Sequence, residues 1–164
     1  MSIETLASAL EQGEDILLSK FLGYANDGGG GRGPALNADD WRSAVGEPAR
    51  ALARLLRAAA APESAAGDEA AQHNPAAAFG VMAAKRHRQR GVRLEMFLGA
   101  CKLIRRAFVD LTYDVDLSPE TLAQGHALMH SFWDTFELGF VAEWSRAASS
   151  SQEAEAREEE RRAR

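Results

Sequence analysis

"RLEMFLGACKLIRRAFVDLTY", residues 93–113, sets Leu94, Phe97, Leu98, Cys101, Ile104, Phe108 and Leu111 three or four positions apart. Side chains at that spacing share one face of an α-helix, since each residue advances about 100° around the axis. The charged residues Lys102, Arg105 and Arg106 fall largely off that stripe. The segment therefore reads as an amphipathic helix with one buried face.

Working outward, the same periodicity recurs on both sides. Ser118-Pro119 opens a long last helix that carries Leu122, Met129, Trp133, Phe136, Phe140 and Trp144. Proline suits the first helical turn, where its missing N–H has no partner to lose. Upstream, Asn74-Pro75 begins a helix whose expected inward face is Phe79, Met82, Ala83, Arg86 and Arg90, with His87 at its edge. Gly91 ends it, and "KRHRQR", 85–90, puts cations near the carbonyl end, where they offset the helix dipole. Residues 2–24 read as a first helix built on Ile3, Leu6, Leu10, Ile16, Leu17 and Phe21, with Ser2 as N-cap. Asn37 is placed to cap a second region that begins with Asp39 and Asp40. Gly46-Glu47-Pro48 is expected to interrupt that region before Leu52, Leu55 and Leu56. No segment alternates apolar and polar residues with β-branched enrichment, so the expected fold class is all-α: a globin-like or helical-bundle single domain with a long C-terminal helix.

Composition narrows the function classes. A chain of 164 residues with 46% apolar content has enough material for one core. A net charge of −5 argues against nucleic-acid binding, which needs a basic face. Cys101 is the sole cysteine and lies in the apolar stripe, so a buried, reduced thiol is expected. No run approaches the ~20 apolar residues of a membrane helix, and the N-terminus lacks a basic-then-apolar leader pattern, which points to a soluble cytoplasmic protein. The run "NDGGGGRGP", 26–34, lacks the lysine and Ser/Thr of a phosphate loop and reads as a connection, as does the Ala-rich stretch 58–73.

Chemistry-bearing clusters are sparse. His126 and His130 stand at i, i+4, a spacing that can chelate a metal, but no carboxylate lies between them to complete a hydrolase motif. His73 reads as a loop residue, and Asp110, Asp114 and Asp116 as turn formers at a helix end. No serine elbow, Cys–His pair or apolar acid pair is present, so the chain is not expected to be an enzyme in itself. A phosphotransfer histidine needs an exposed mid-helix position with small neighbours, whereas His87 sits in a last turn among arginines.

The stretch 83–111 resembles two related groups. In the globin-coupled oxygen sensors of bacteria, a proximal-histidine helix is followed by glycine, an aromatic residue and a Gly-Ala pair, matched here by His87, Gly91, Phe97 and Gly99-Ala100. In the non-haem, globin-like sensor domains of stressosome proteins and sensor kinases, the pattern is matched by Gly91-Val92, Leu94, Phe97-Leu98, Ala100 and Ile104-Arg105. The resemblance implies a sensory input module, cytoplasmic and homodimeric through its last helices, feeding an attached or partner output domain such as a histidine kinase. It implies no resident cofactor in the non-haem group, and haem with His87 as proximal metal ligand and Tyr24 as the distal candidate in the other. Arg86 and Arg88 flank His87, where haem-binding members usually place apolar neighbours. The expected ligand pocket comprises Phe79, Met82, His87, Phe97 and Cys101. Met129, Trp133, Phe136 and Phe140 are expected in the core and dimer contacts. Residues 1–148 form the expected sensor domain, and 149–164, with five acids and four arginines, a charged connector helix toward an output domain. The alternative to signalling is a stand-alone helical scaffold.

Overall fold

The computed structural model describes residues 2–27, 38–60 and 75–163, and all of their regular structure is helical. Six helices follow in chain order: α1 (Ile3–Gln12), α2 (Glu14–Asp27), α3 (Ala38–Ala60), α4 (Pro75–Gln89), α5 (Leu94–Thr112) and α6 (Pro119–Ala163). The glycine run from 28, the Asn37 cap and the segment 61–74 with His73 and Asn74 lie outside the described residues. No described helix is long and apolar enough to cross a membrane.

The expected first helix is two. Gly13 separates α1 from α2, its N–H closing the turn on Ala9 O at 2.8 Å while its own carbonyl accepts from Leu17 N at 2.8 Å. A Cβ at Gly13 would stand 2.5 Å from Ala9 O, so the close turn requires glycine here. In contrast, α3 runs unbroken through Pro48. Proline inside a helix costs about 3 kcal/mol. The core face offsets it, because Val45, Ala49, Leu52, Ala53 and Leu56 keep helical spacing on both sides of the proline and are all buried. Local propensity predicted a break there; burial of a continuous stripe overrides it.

Packing is organised around α6. Its most extensive neighbour is α4, while α1 lies on α3, α2 on α5 and α3, and α1, α3 and α5 also touch α6. The α4–α6 crossing is close because glycines meet there. A Cβ on Gly80 would stand 2.1 Å from Phe136 O, and one on Gly139 2.3 Å from Ala77 O. The two backbones are thus in direct contact, with aromatic side chains packed around them.

The core gathers Leu6, Leu10, Leu17, Phe21, Leu52, Leu56, Phe108, Met129, Trp133 and Phe140, all at most 1% exposed. Trp133 meets Phe108 edge-on at 5.5 Å, yet its Nε1 has no hydrogen-bond partner among the described residues. An unsatisfied buried donor costs about 1–3 kcal/mol. Burying an indole contributes about 4–6 kcal/mol by area, so packing wins at this position. Met129, Trp133, Phe136 and Phe140 are all core residues of the single chain, at 3% exposure or less. This corrects the dimer half of their expected role: they have no surface left to offer another chain.

The last helix is 45 residues long, about 68 Å at the standard rise. Ser118 Oγ caps it by accepting from Thr121 N at 3.2 Å, as the Ser-Pro signal predicts. From Ser145 onward every described side chain except that of Ala147 is exposed. The helix leaves the domain there without a break at residue 149.

Candidate functional site

The stretch 85–90 has a resolved role as a helix ending. Val92 N bonds His87 O at 3.1 Å and Gly91 N bonds Arg88 O at 3.0 Å, with Gly91 at φ 71°. These two bonds and the left-handed glycine make a Schellman ending, which satisfies carbonyls that would otherwise lack partners.

Helix phase divides the cations into two sets. Arg86 and Arg90, one turn apart, face α3. Arg86 grips Glu47 through both nitrogens, at 3.1 and 2.5 Å, and Arg90 reaches Asp40 at 3.3 Å. The Arg86 guanidinium beside it holds the Glu47 carboxyl below the usual carboxylate range, against the opposing effect of burial. Lys85 and Arg88 lie on the other side, toward α6, in a groove with Ala84, Gln89, Glu143 and Trp144.

Between the two sets sits His87, half-buried. Its Nδ1 lies 2.8 Å from Ala83 O, so a neutral ring donates from Nδ1 and keeps its lone pair on Nε2. The ring meets Phe97 edge-on at 4.6 Å, and Phe97 stacks on Phe140 at 3.7 Å and 5°. Burial pushes the imidazole below the ordinary histidine value; Arg86 and Arg90 push the same way, while the Ala83 carbonyl and Glu47 oppose.

The five expected pocket residues do not enclose one cavity. Phe97 and Cys101 are buried, Phe79 is half-buried with its ring 5.3 Å from Phe136, and Met82 is 60% exposed. Met82 corrects the expected inward face of α4: the residues turned inward are Ala76, Gly80, Ala83 and Ala84. Small side chains face α6 because the glycine crossing leaves no room for methionine. Burial pushes the Cys101 thiol far up, which keeps it protonated and unreactive.

Two surface clefts stand out among the described residues, and neither is lined by any of those five. One is the groove of about 100 Å³ beside Lys85 and Arg88; the other, about 450 Å³, lies at the α5–α6 turn between Thr112 and Leu122. Haem does not fit this arrangement. The space His87 faces is filled by Phe97 backed by Phe140, and the expected distal residue, Tyr24, donates its hydroxyl to Asp110 of α5 with the Arg106 guanidinium 4.2 Å over its ring.

Nor do His126 and His130 form a chelating pair. Their rings are 6.4 Å apart, and each is engaged elsewhere. Thr112 donates its hydroxyl proton to Val109 O at 2.7 Å, so the 2.8 Å contact to His126 is a donation from Nε2. Arg105 donates to His130 Nδ1 at 2.6 Å and also pairs with Asp134 at 2.8 Å. No group of three or more metal-ligating side chains is found among the described residues.

Two half-buried histidines give folding a pH dependence with a defined sign. His126, like His87, is held below 6.5, in its case by burial first and then by His130. The unfolded chain binds protons as pH falls through about 6.5 while the folded histidines stay neutral, so stability is full above that pH and falls toward the folded values. The urea midpoint is expected to be lower at about pH 5.5 than at about pH 7.5, with His87→Gln reducing the difference. An unchanged midpoint would contradict the placement of both rings.

The groove beside Lys85 and Arg88 was not legible as a site in the sequence. The available signal was phase: 86 and 90 share a face, while 85 and 88 point elsewhere. Trp144 completes it from α6, where periodicity alone reads it as the end of a core stripe. Comparison of the chain with known protein families, with curated proteins and with solved structures finds no match.

Proposed function

We propose that this chain is a sensory input domain of a bacterial signalling protein of the sensor-kinase type, globin-like in its helical plan and non-haem, working as a homodimer whose last helix carries the signal. The observation that carries the reading is the continuity of α6. One helix holds Met129, Trp133, Phe136 and Phe140 in the core and continues unbroken past Ser145, where the described side chains apart from Ala147 are exposed. A shift of that helix in the core therefore moves its far end as a rigid lever, provided a ligand or partner favours one arrangement. The resemblance at 83–111 supports the same class.

The outward face of α6 supports the dimer. Ala127, Ser131, Asp134, Leu138, Val141 and Ser145 are exposed and recur at helical spacing, with Leu138 at 72%. Burying such a face on a second copy removes leucine and valine from water without disturbing the core. Light scattering is expected to show a dimer, and Leu138→Asp a helical monomer; a wild-type monomer at working concentration removes the homodimer from the reading.

Signal transfer is tested by fusing the chain to a histidine-kinase catalytic region and lengthening α6 after Ser150. Two inserted residues turn everything downstream by about 200°, whereas seven return it to within about 20°. Kinase output is expected to change with two and recover with seven. Output indifferent to both insertions means that α6 does not transmit.

A further inference from the structure

We propose that the fork between α4 and α6, where α6 leaves the domain, is a docking site for an acidic side chain of a partner polypeptide. Lys85 and Arg88 lie one turn apart on the rim, with Gln89 beside them, Ala84 as floor and Trp144 as wall. Neither cation has a carboxylate partner among the described residues, whereas Arg86 and Arg90, interleaved with them, are paired to α3. Beyond offsetting the helix dipole, the unpaired set therefore makes no ion pair that ties α4 to a neighbouring helix among the described residues.

The groove's shape selects the ligand. It is a small groove of about 100 Å³, on the scale of the carboxylate end of an aspartate or glutamate. Glu143 also lines it, with its side chain 12% exposed and its carboxylate paired to Arg146. That nearby negative charge disfavours a dianion such as phosphate more than a single carboxylate. An Arg guanidinium matches a carboxylate bidentately, the Lys85 ammonium adds a second charge-assisted bond, and the Gln89 amide adds a neutral donor. Trp144, half-buried and stacked on Phe140 at 5.4 Å, offers a flat apolar wall to the methylenes of a glutamate. So small and open a groove gives a free carboxylate few contacts, which favours an acid carried on a chain that lies across the rim. The binding stands whether or not α6 carries a signal.

The test is titration of the full chain with a capped, glutamate-only peptide, read by tryptophan emission and calorimetry. A capped glutamine-only peptide and N-acetylglutamate serve as the other arms, and the Trp144→Phe variant assigns the emission change. The expected result is saturable binding of the glutamate peptide that weakens as salt is raised. Lys85→Gln/Arg88→Gln, with its helical content checked by circular dichroism, is expected to weaken binding about tenfold or more. Both positions are on the surface, so the variant is expected to fold. Absence of binding overturns the proposal, as does undiminished affinity in the double variant or equal affinity for the glutamine peptide. Binding of N-acetylglutamate as tight as that of the peptide overturns the polypeptide partner and leaves a small-carboxylate site.

Discussion

Gly80→Ala and Gly139→Ala are each expected to cost about 3 kcal/mol of folding stability, while the same change at Gly23 or Gly99 raises stability by about 0.5–1 kcal/mol. The four glycines are all helical, so propensity alone favours alanine at every one. What differs is the space. A Cβ at Gly80 meets Phe136 O at 2.1 Å and Phe140 N at 2.9 Å, and one at Gly139 meets Ala77 O at 2.3 Å, all backbone atoms that cannot swing aside. At Gly23 and Gly99 the added methyl finds nothing within 4 Å. For a chain of this size the crossing variants should melt roughly 6–12 °C lower, and the other pair a few degrees higher, in thermal scans. Alanine at Gly139 that proved neutral would mean α4 and α6 do not touch through their backbones.

Phe136→Asp is expected to prevent folding, whereas Leu138→Asp two positions on leaves the monomer fold intact. Phe136 is 3% exposed and packs within 5.5 Å, centroid to centroid, of both Phe79 and Trp133. Loss of a buried ring costs about 3–5 kcal/mol, and an unpaired carboxylate left in its place adds a desolvation penalty of several more. Together these reach the whole stability of an ordinary domain, about 5–15 kcal/mol. Leu138 is 72% exposed, and a surface charge there shifts stability by about 0.5 kcal/mol or less. Circular dichroism separates the two outcomes. A folded Phe136→Asp protein with altered oligomeric state would restore the interface role expected from sequence and overturn the packing of α6.

Some of this architecture follows from chain pattern because it depends on neighbours in sequence. The stripe from Leu94 to Leu111 becomes α5 with Phe97, Cys101, Ile104, Phe108 and Leu111 buried, since helical periodicity places them together wherever the helix packs. Ser118-Pro119 and Gly91 delimit helices because capping is satisfied within a few residues. Pro48 and Gly13 went the other way. The break expected at Pro48 is closed by burial on both sides of it, and the turn at Gly13 is hidden because glycine inside a periodic run has no single meaning.

The candidate site was less legible, for a reason of phase. Sequence spacing says which residues share a face but not which face meets which helix. Spacing puts Met82 on the expected inward face of α4 with His87 at its edge; the crossing at Gly80 turns Met82 to solvent and leaves His87 against Phe97. The same rotation splits "KRHRQR" into cations bound to α3 and cations beside Trp144 with no carboxylate partner among the described residues.

By itself, then, the sequence determined the all-helical class, the stripe of α5, the reduced buried cysteine, and the helix ends at Gly91 and Ser118. Each of these is settled by torsion preferences, periodicity or capping within a few residues of chain. Only the tertiary structure decided that Trp133, Phe136 and Phe140 of α6 are buried within the chain, that α3 runs through its proline, and that two of the clustered cations have no carboxylate partner among the described residues. Those outcomes depend on which helix faces are brought into contact, and two glycines far apart in the chain set that contact by letting α4 and α6 approach to backbone distance.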